Sequence, residues 1–277
     1  MQSPDFGRTA LDYAAYRAPF PPELFERLIG LGVGRKGQRV LDIGTGTGML
    51  AREFARAGCD VTGLDPSPEL VEEARKLDSQ AGVSVSYVQG IAEDTRLADS
   101  AFEAVTAAVC WHWFDGDQAA REIRRILVPG GALAIVHFDW LATPGSVAAD
   151  SMELIQRSLP SRPVRSLARD AFYFVARRVK AEWVGAEGTG IHPDRLATLA
   201  RNGFERLESF SFDVGIEYSH QAWRGRLRSH ASLGASKSPE IVARADEALA
   251  EMLRAHHPSD PLEVMHRIFV AVGRAPA

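Results

Sequence analysis

The sequence predicts an α/β fold that contains a mostly parallel sheet, and three observations along the chain indicate it. A short apolar run, residues 40–43, is typical of a buried parallel strand and leads directly into a glycine-rich loop at residues 44–48. An amphipathic stretch, residues 49–57, follows as a predicted helix. Predicted strands and helices then alternate as far as residue 138. Strand, glycine loop and helix in this order form the first unit of a nucleotide-binding α/β sheet.

The composition is that of an ordinary globular protein. The chain has 277 residues, of which 45% are hydrophobic and 25% charged, enough for one large α/β domain or a domain with a cap. A net charge of -4 argues against a general nucleic-acid binder, which needs clustered Lys and Arg. The two cysteines, Cys59 and Cys110, lack the spacing of a metal site and indicate a reducing compartment. The start of the chain lacks a signal-peptide pattern, and no apolar run reaches membrane-spanning length. We therefore expect a cytoplasmic protein with no nucleic-acid or membrane partner, whose oligomeric state does not follow from the sequence.

The spacing of the glycines indicates the kind of ligand. The loop reads G-x-G-x-G, whereas dinucleotide-binding enzymes carry G-x-G-x-x-G, and Asp42 stands two positions before Gly44. A carboxylate at this point repels a pyrophosphate and attracts a ligand that carries an ammonium group. An NAD-dependent oxidoreductase is therefore the less favoured interpretation.

A second predicted strand, residues 59–65, ends in another acid. Asp65 follows Gly44 by about 20 residues, the offset at which an acidic side chain binds ribose hydroxyls in nucleotide-binding α/β folds. Pro66 and Ser67 then open a helix for which Ser67 is a natural cap. The alternative is that Asp65 does no more than cap this turn.

Residues 6–138 carry at least five motifs, in order, that resemble those of class I S-adenosylmethionine (SAM)-dependent methyltransferases. The glycine loop with Asp42 resembles motif I, in which the acid helps to hold the methionine amino group of SAM. The resemblance implies a Rossmann-like sheet of seven strands, mostly parallel with an antiparallel last strand, with helices on both faces. It also implies SAM as the cofactor.

The same resemblance assigns the cofactor-binding residues. Tyr16 and Arg17 end a Tyr-x-x-Tyr-Arg segment that covers the SAM pocket in many small-molecule methyltransferases, although helix packing is the alternative. Residues 90–93 look like the Gly-x-Ala-Glu segment beside the adenine; many relatives have Asp where this chain has Ile91, so a contact through that side chain does not carry over. Glu93 could instead be a solvated loop acid. The expected cofactor-binding residues are Tyr16, Arg17, Asp42, Gly44, Thr45, Gly46, Gly48, Asp65, Pro66, Ser67, Ala92, Glu93, Val109 and Cys110.

The methyl acceptor is expected at the carboxyl end of the fourth predicted strand, residues 102–110, because ligands bind at that end of open α/β sheets. The next five residues, Trp-His-Trp-Phe-Asp, are similar to the His-Trp-Phe signature of a small-molecule subgroup, methyltransferase type 11, that includes trans-aconitate methyltransferase-like proteins. His112 is the first candidate for a general base, and His137 and His192 are the next candidates. An acceptor that is an ionised carboxylate needs no base. Asp115 is predicted to cap the following helix. The expected substrate-binding residues are Tyr13, Trp111, His112, Trp113 and His137.

We predict three segments in the chain. Residues 1–140 form the SAM-binding core with N-terminal covering helices, residues 141–190 a helical lid inserted after the fifth strand, and residues 191–277 the C-terminal part of the same α/β domain. Residues 150–180 hold seven Arg or Lys against three acids. This surplus is typical of a solvated helix face, or else of a lid that attracts an anion.

The sequence thus predicts a SAM-dependent methyltransferase that acts on a small molecule, for which the lid suggests an anion. A protein-modifying methyltransferase and a SAM-binding regulator without turnover are the alternatives. The acceptor and the methylated atom do not follow from the sequence.

Overall fold

The computed structural model describes residues 10–158, 192–230, 233–234 and 238–277. The strands are β1 (Arg39–Ile43), β2 (Asp60–Asp65), β3 (Ser86–Gln89), β4 (Phe102–Ala108), β5 (Leu127–Trp140), β6 (Glu205–Tyr218) and β7 (Leu262–Arg274). The helices are α1 (Ala10–Tyr16), α2 (Pro22–Gly30), α3 (Met49–Arg56), α4 (Pro68–Ala81), α5 (Gly116–Ile126), α6 (Val147–Ser158), α7 (Pro193–Arg201), α8 (His220–Arg228) and α9 (Pro239–His256).

The strands form a seven-stranded sheet in the order β3-β2-β1-β4-β5-β7-β6. Strands β1 to β5 pair in parallel with their neighbours. Strand β7 runs antiparallel to β5, because the Ala275 N–H donates to the Gly131 carbonyl at 2.8 Å and the Leu141 N–H donates to the Met265 carbonyl at 2.8 Å. The predicted fold, a mostly parallel sheet with an antiparallel last strand, is confirmed.

The sheet core follows from the sequence pattern. In β1, Val40, Leu41 and Ile43 are at most 1% exposed, as expected for a parallel strand covered on both faces. Helix α5 buries Ala119, Ala120, Ile123 and Ile126, the spacing that places side chains on one helix face. Loss of one such large side chain typically costs about 2–5 kcal/mol of the free energy of unfolding.

The chain divides into two compact units. The larger unit contains residues 18–138, 192–212 and 268–277, and therefore the glycine loop and β1 to β4. The smaller unit contains residues 1–17, 139–191 and 213–267, and therefore α1, α6, α8 and α9. The predicted segment boundaries stay a prediction. Residues 159–190 of the predicted lid lie outside the described residues.

Two local expectations have clear outcomes. Ser67 and Asp115 cap α4 and α5 as predicted, each accepting a backbone N–H three residues on. Residues 128–131 form a bulge in β5: Phe102 pairs with Leu127 and Ala104 with Ala132, so four residues of β5 face one of β4.

Within the described ranges, no helix has the length and apolar character that crossing a bilayer requires.

Candidate functional site

The glycine loop between β1 and α3 depends on left-handed backbone at three positions. Gly44, Gly46 and Gly48 have φ values of 64°, 56° and 72°, which side-chain-bearing residues rarely adopt. A Cβ added to Gly44 would stand 2.8 Å from the Cys110 Sγ, and one added to Gly48 would overlap the Tyr87 hydroxyl. The loop therefore needs glycine both for its backbone conformation and for close packing.

Asp42 is a buried carboxylate at the carboxyl end of β1. It is 2% exposed, and one oxygen accepts from the Thr45 hydroxyl and the other from the Thr106 hydroxyl, each at 2.7 Å. Burial raises the pKa of Asp42 to about 6, against the lowering effect of these two hydrogen bonds. Each carboxylate oxygen has two lone pairs, so Asp42 can still accept a hydrogen bond from a ligand.

Thr106 is a site residue that the sequence analysis missed. It lies on β4 directly beside Asp42 in the parallel register of β1 and β4. Its hydroxyl fixes the orientation of the Asp42 carboxylate. No local sequence pattern points to Thr106, because its position beside Asp42 depends on the register of two strands that lie far apart in the sequence.

Asp65, at the end of β2, holds the glycine loop as well as the following turn. It is 6% exposed, and its carboxylate accepts from the backbone N–H groups of Gly46 at 2.8 Å and Ser67 at 2.9 Å. Burial raises its pKa, and the two backbone hydrogen bonds oppose that shift. The turn contact expected under the capping alternative exists, but the bond to Gly46 joins Asp65 to the loop beyond it. A role for Asp65 on the ribose stays a prediction.

Asp65→Ala is expected to weaken SAM binding by about 1–3 kcal/mol, the usual effect of losing a charged hydrogen-bond partner. Calorimetry with SAM measures this. Asp60→Ala is the matched control, since Asp60 is an exposed acid at the opposite end of the same strand. Unchanged SAM affinity together with binding of NADH would contradict the cofactor assignment.

The carboxyl end of β4 contains a strained residue. Val109 has φ 56°, a genuine outlier for a β-branched side chain, and its N–H donates to the Val136 carbonyl at 2.8 Å. Cys110 follows, buried, with its thiol 3.2 Å from the Ile43 carbonyl, and burial raises its pKa well above the usual value. Strain of this kind persists where the surrounding structure fixes it, and it concentrates at functional sites.

The aromatic residues after β4 divide into a buried and an exposed group. Trp111 is 2% exposed and lies in the core, edge-on to Phe114 at a centroid distance of 5.8 Å. His112 and Trp113 are exposed, with their ring centroids 4.8 Å apart. This burial favours a packing role for Trp111, whereas His112 and Trp113 can be reached by a ligand.

His137 is buried on β5. The Arg195 Nε donates to the His137 Nε2 at 3.2 Å, and the His137 ring stacks on that of His192 with centroids 3.7 Å apart. Because Nε2 accepts, the assigned tautomer carries its proton on Nδ1. Both histidines were candidates from the sequence, whereas Arg195, which lies on α7, was not predicted.

In the segment predicted beside the adenine, residues 90–93, some side chains contact other parts of the protein. Ala92 is 2% exposed and belongs to the core, while Ile91 is 50% exposed. The Glu93 carboxylate accepts from the Asp115 N–H at 2.8 Å, just before α5. Glu93 thus has a defined partner at the start of α5, which the solvated-acid alternative did not foresee.

The predicted residues of the N-terminal segment, Tyr13, Tyr16 and Arg17, belong to the smaller unit. Tyr16 packs against Gly225 of α8, whose missing side chain leaves room for the ring, and the Arg228 guanidinium lies 5.8 Å from its centroid. These contacts agree with the packing alternative for Tyr16. Arg17 directly follows α1, and Tyr13 lies in that helix. Their contacts with cofactor or substrate stay predictions.

Comparison with known proteins gives a consistent result. Residues 41–135 match the sequence profile of a family described as a methyltransferase domain. An uncharacterized methyltransferase of Mycobacterium tuberculosis is 37% identical over 131 residues, 47% of this chain and 51% of the relative, so the chain spans about half the length of that relative. The ubiquinone biosynthesis O-methyltransferase of Xanthomonas oryzae pv. oryzae is 36% identical over 194 residues, 69% of this chain and 70% of the relative.

The fold is also similar to that of a solved cyclase, SpnF. The TM-score is 0.51 at 22% identity, covering 94% of this chain and 85% of the cyclase. At this identity the similarity concerns the fold alone, and function has to be argued from the site.

Proposed function

This chain belongs to the class I SAM-dependent methyltransferase family, and we propose that it transfers a methyl group from SAM to a small-molecule acceptor. The observation that carries the proposal is the pair of buried acids at the ends of two adjacent parallel strands, both of which accept hydrogen bonds from the glycine loop. Asp42 is proposed to hold the SAM amino group and Asp65 the ribose hydroxyls. Tyr16 and Arg17 are proposed to cover the methionine end, a role that rests on their sequence segment.

The protein has to contribute orientation more than chemical activation. SAM, when bound, supplies a methyl group on a sulfonium, which is already a good leaving group. The residues of this chain then have to align the acceptor atom at about 3–3.5 Å from the methyl carbon and exclude water. A protonated acceptor also requires a base, and His112 is proposed for that role because it is exposed at the carboxyl end of β4.

We further propose that the acceptor is anionic, and among the arginines of α8 it is Arg226 that supports this proposal. Arg224 and Arg228 of α8 both bind Asp246, and Arg228 also binds Asp12, so neither charge supports an anion site. Arg226, between them, is 6% exposed, and its guanidinium lies 4.6 Å from the Trp140 ring centroid. A buried arginine on an aromatic face is suited to a planar anion such as a carboxylate. The basic residues from Arg162 to Lys180 lie outside the described residues.

Arg226→Met is expected to raise the acceptor KM about tenfold or more, because a charge-assisted contact to the acceptor is lost. The affinity for SAM should be unchanged. Steady-state kinetics on the acceptor identified below, with calorimetry for SAM, measures both. Arg224→Met is the control, since it removes the same charge from another position on the same helix. Equal KM values for the two variants would contradict the anionic acceptor.

His112→Ala is expected to lower kcat less than tenfold if the acceptor is an ionised carboxylate, which needs no base. For a protonated hydroxyl the loss should be about 10²–10⁴-fold, the usual contribution of a positioned base. His256→Ala, a change of another exposed histidine, controls for loss of an imidazole as such. A large loss in kcat would count against the carboxylate acceptor and leave methyl transfer intact.

The proposed function is tested by following S-adenosylhomocysteine release from SAM across a library of small acids, phenols and amines. Turnover on one class identifies the acceptor. SAM binding without turnover on any small molecule, but with transfer to added protein, would favour the protein-modifying alternative. SAM binding with neither would favour the regulator.

A further inference from the structure

We propose that Arg52, Asp78 and Tyr87 form a positioning network that holds the glycine loop in the shape that receives SAM. This inference rests on the proposed function and assigns a role to three residues that lie outside the predicted site. None of them is proposed to touch SAM. They act through the backbone of the loop.

The network joins three elements through one buried carboxylate. Asp78 on α4 is 4% exposed. Its carboxylate accepts from the Arg52 Nε on α3 at 2.8 Å and from the Tyr87 hydroxyl on β3 at 2.7 Å. Burial and the bond to Asp78 raise the pKa of Tyr87, so its hydroxyl stays protonated and remains the donor.

Arg52 extends the network to the loop. Its Nη2 donates to the Thr47 carbonyl at 2.8 Å, and Thr47 stands between Gly46 and Gly48. The planar guanidinium presents donors in fixed directions, so one side chain can bind the Asp78 carboxylate and the Thr47 carbonyl together. The peptide group in the middle of the loop is thereby tied to α4.

Tyr87 supports the loop from β3, the strand that pairs with β2. A Cβ on Gly63 would lie 2.7 Å from the Tyr87 ring and 2.9 Å from the Thr45 Cγ2, so ring, strand and loop pack without spare space. The Tyr87 hydroxyl also occupies the position that a side chain on Gly48 would need. The ring therefore packs against Gly63, and the hydroxyl against Gly48.

Stability alone is a weak reason for such a network. A buried ion pair contributes little net stability relative to apolar side chains of the same size, because both charges lose their hydration. Its distinct property is fixed geometry. Glycines give a loop more conformational freedom than other residues do, so fixing the loop before SAM binds reduces the entropy lost on binding.

The experiment compares SAM affinity with thermal stability in Arg52→Gln, Arg52→Lys and Tyr87→Phe. Arg52→Gln should weaken SAM binding by about tenfold or more, the cost of leaving a positioned loop to be ordered on binding. Arg52→Lys keeps the charge beside Asp78 but cannot also bind Thr47 in the same geometry. It should recover most of the Tm and little of the affinity. Tyr87→Phe, which keeps the ring, should give a smaller loss of affinity in the same direction.

Leu249→Ala is the control for destabilisation, because it removes a fully buried side chain from α9 in the smaller unit. It should lower Tm and leave SAM affinity unchanged. The network is refuted if the Arg52 and Tyr87 variants behave like Leu249→Ala, with lower Tm and normal affinity, while wild type binds SAM and turns over. A wild-type chain that does not bind SAM refutes the proposed function and this inference together.

Discussion

Replacing Gly46 by valine is expected to abolish SAM binding while the fold persists. Gly46 has φ 56°, and its N–H donates to the Asp65 carboxylate at 2.8 Å. A β-branched side chain at positive φ is strained by about 1–3 kcal/mol, and relief of that strain would turn the N–H away from Asp65. Strain and the lost charged hydrogen bond together correspond to a loss of affinity on the order of 100-fold or more.

Gly82→Val separates the effect on SAM from the effect of backbone strain. Gly82 ends α4 with φ 66°, and a Cβ there would meet nothing within 4 Å. The same substitution in nearly the same backbone conformation should lower the Tm by a similar amount and leave SAM affinity unchanged. Calorimetry with SAM and a thermal melt of both variants give the comparison. If Gly46→Val binds SAM normally, the loop is a structural turn and the cofactor site lies elsewhere.

The parts of the fold that the sequence predicted are those encoded locally. The spacing of apolar residues and the glycines that follow them indicate β1 and β2. The capping residues Ser67 and Asp115 mark the starts of α4 and α5, as predicted. The position of β7 between β5 and β6 has no local signal. The family resemblance implied an antiparallel last strand, but the place of that strand in the sheet was not predicted.

The contacts that the sequence analysis missed join residues far apart in the chain. The hydrogen bond between Thr106 and Asp42 depends on the register of β1 and β4, which no single segment encodes. The bond between Asp78 and Arg52 likewise needs the packing of α3 against α4. From the sequence alone, an acidic residue on a helix is expected to be exposed to solvent, and only the tertiary contacts show that Asp78 is buried.

Local preference also misleads where tertiary structure overrides it. Val109 has strong β propensity and was predicted inside the fourth strand, but its left-handed backbone ends β4 at Ala108. Three closely spaced arginines, as in α8, are typical of a basic surface, yet Arg224 and Arg228 are paired with acids from α9 and α1. In both cases the deciding interaction comes from another element of the fold.

Replacing Asp42 by asparagine is expected to weaken SAM binding at pH 8 and, without SAM, to stabilise the fold. The variant removes the negative charge that we propose to hold the SAM amino group. Loss of a charge-assisted hydrogen bond in a buried site corresponds to about 10–100-fold in affinity. The same carboxylate is 2% exposed, and its burial in ionised form opposes folding.

The gain in stability follows from the direction of the pKa shift. Burial raises the pKa of Asp42 from 3.8 to about 6. Between these two pH values the folded protein keeps a proton that the unfolded chain has lost, so the contribution of Asp42 to the free energy of unfolding falls as the pH rises. Above about pH 6 the full cost is present, on the order of 2–3 kcal/mol. Asparagine does not ionise, so the variant avoids this cost. Part of the gain is offset, because the asparagine amide offers a single acceptor oxygen to the hydroxyls of Thr45 and Thr106.

Urea unfolding of wild type and Asp42→Asn without SAM, at pH 8 and at pH 4.5, measures the stability term. The variant should be the more stable protein at pH 8, and the difference should shrink or reverse at pH 4.5, where folded Asp42 is protonated.

SAM titrations from pH 7.5 to pH 5 measure the effect of the Asp42 charge on binding. The affinity of the wild type for SAM should fall below about pH 6, and that of the variant should stay level. Thr106→Val removes a hydroxyl that donates to the ionised carboxylate, so it should move the fall in affinity to higher pH. Wild-type affinity that is constant over this range would show that the Asp42 charge does not hold the cofactor, and Asp42 would then serve only to orient Thr45 and Thr106 around the loop.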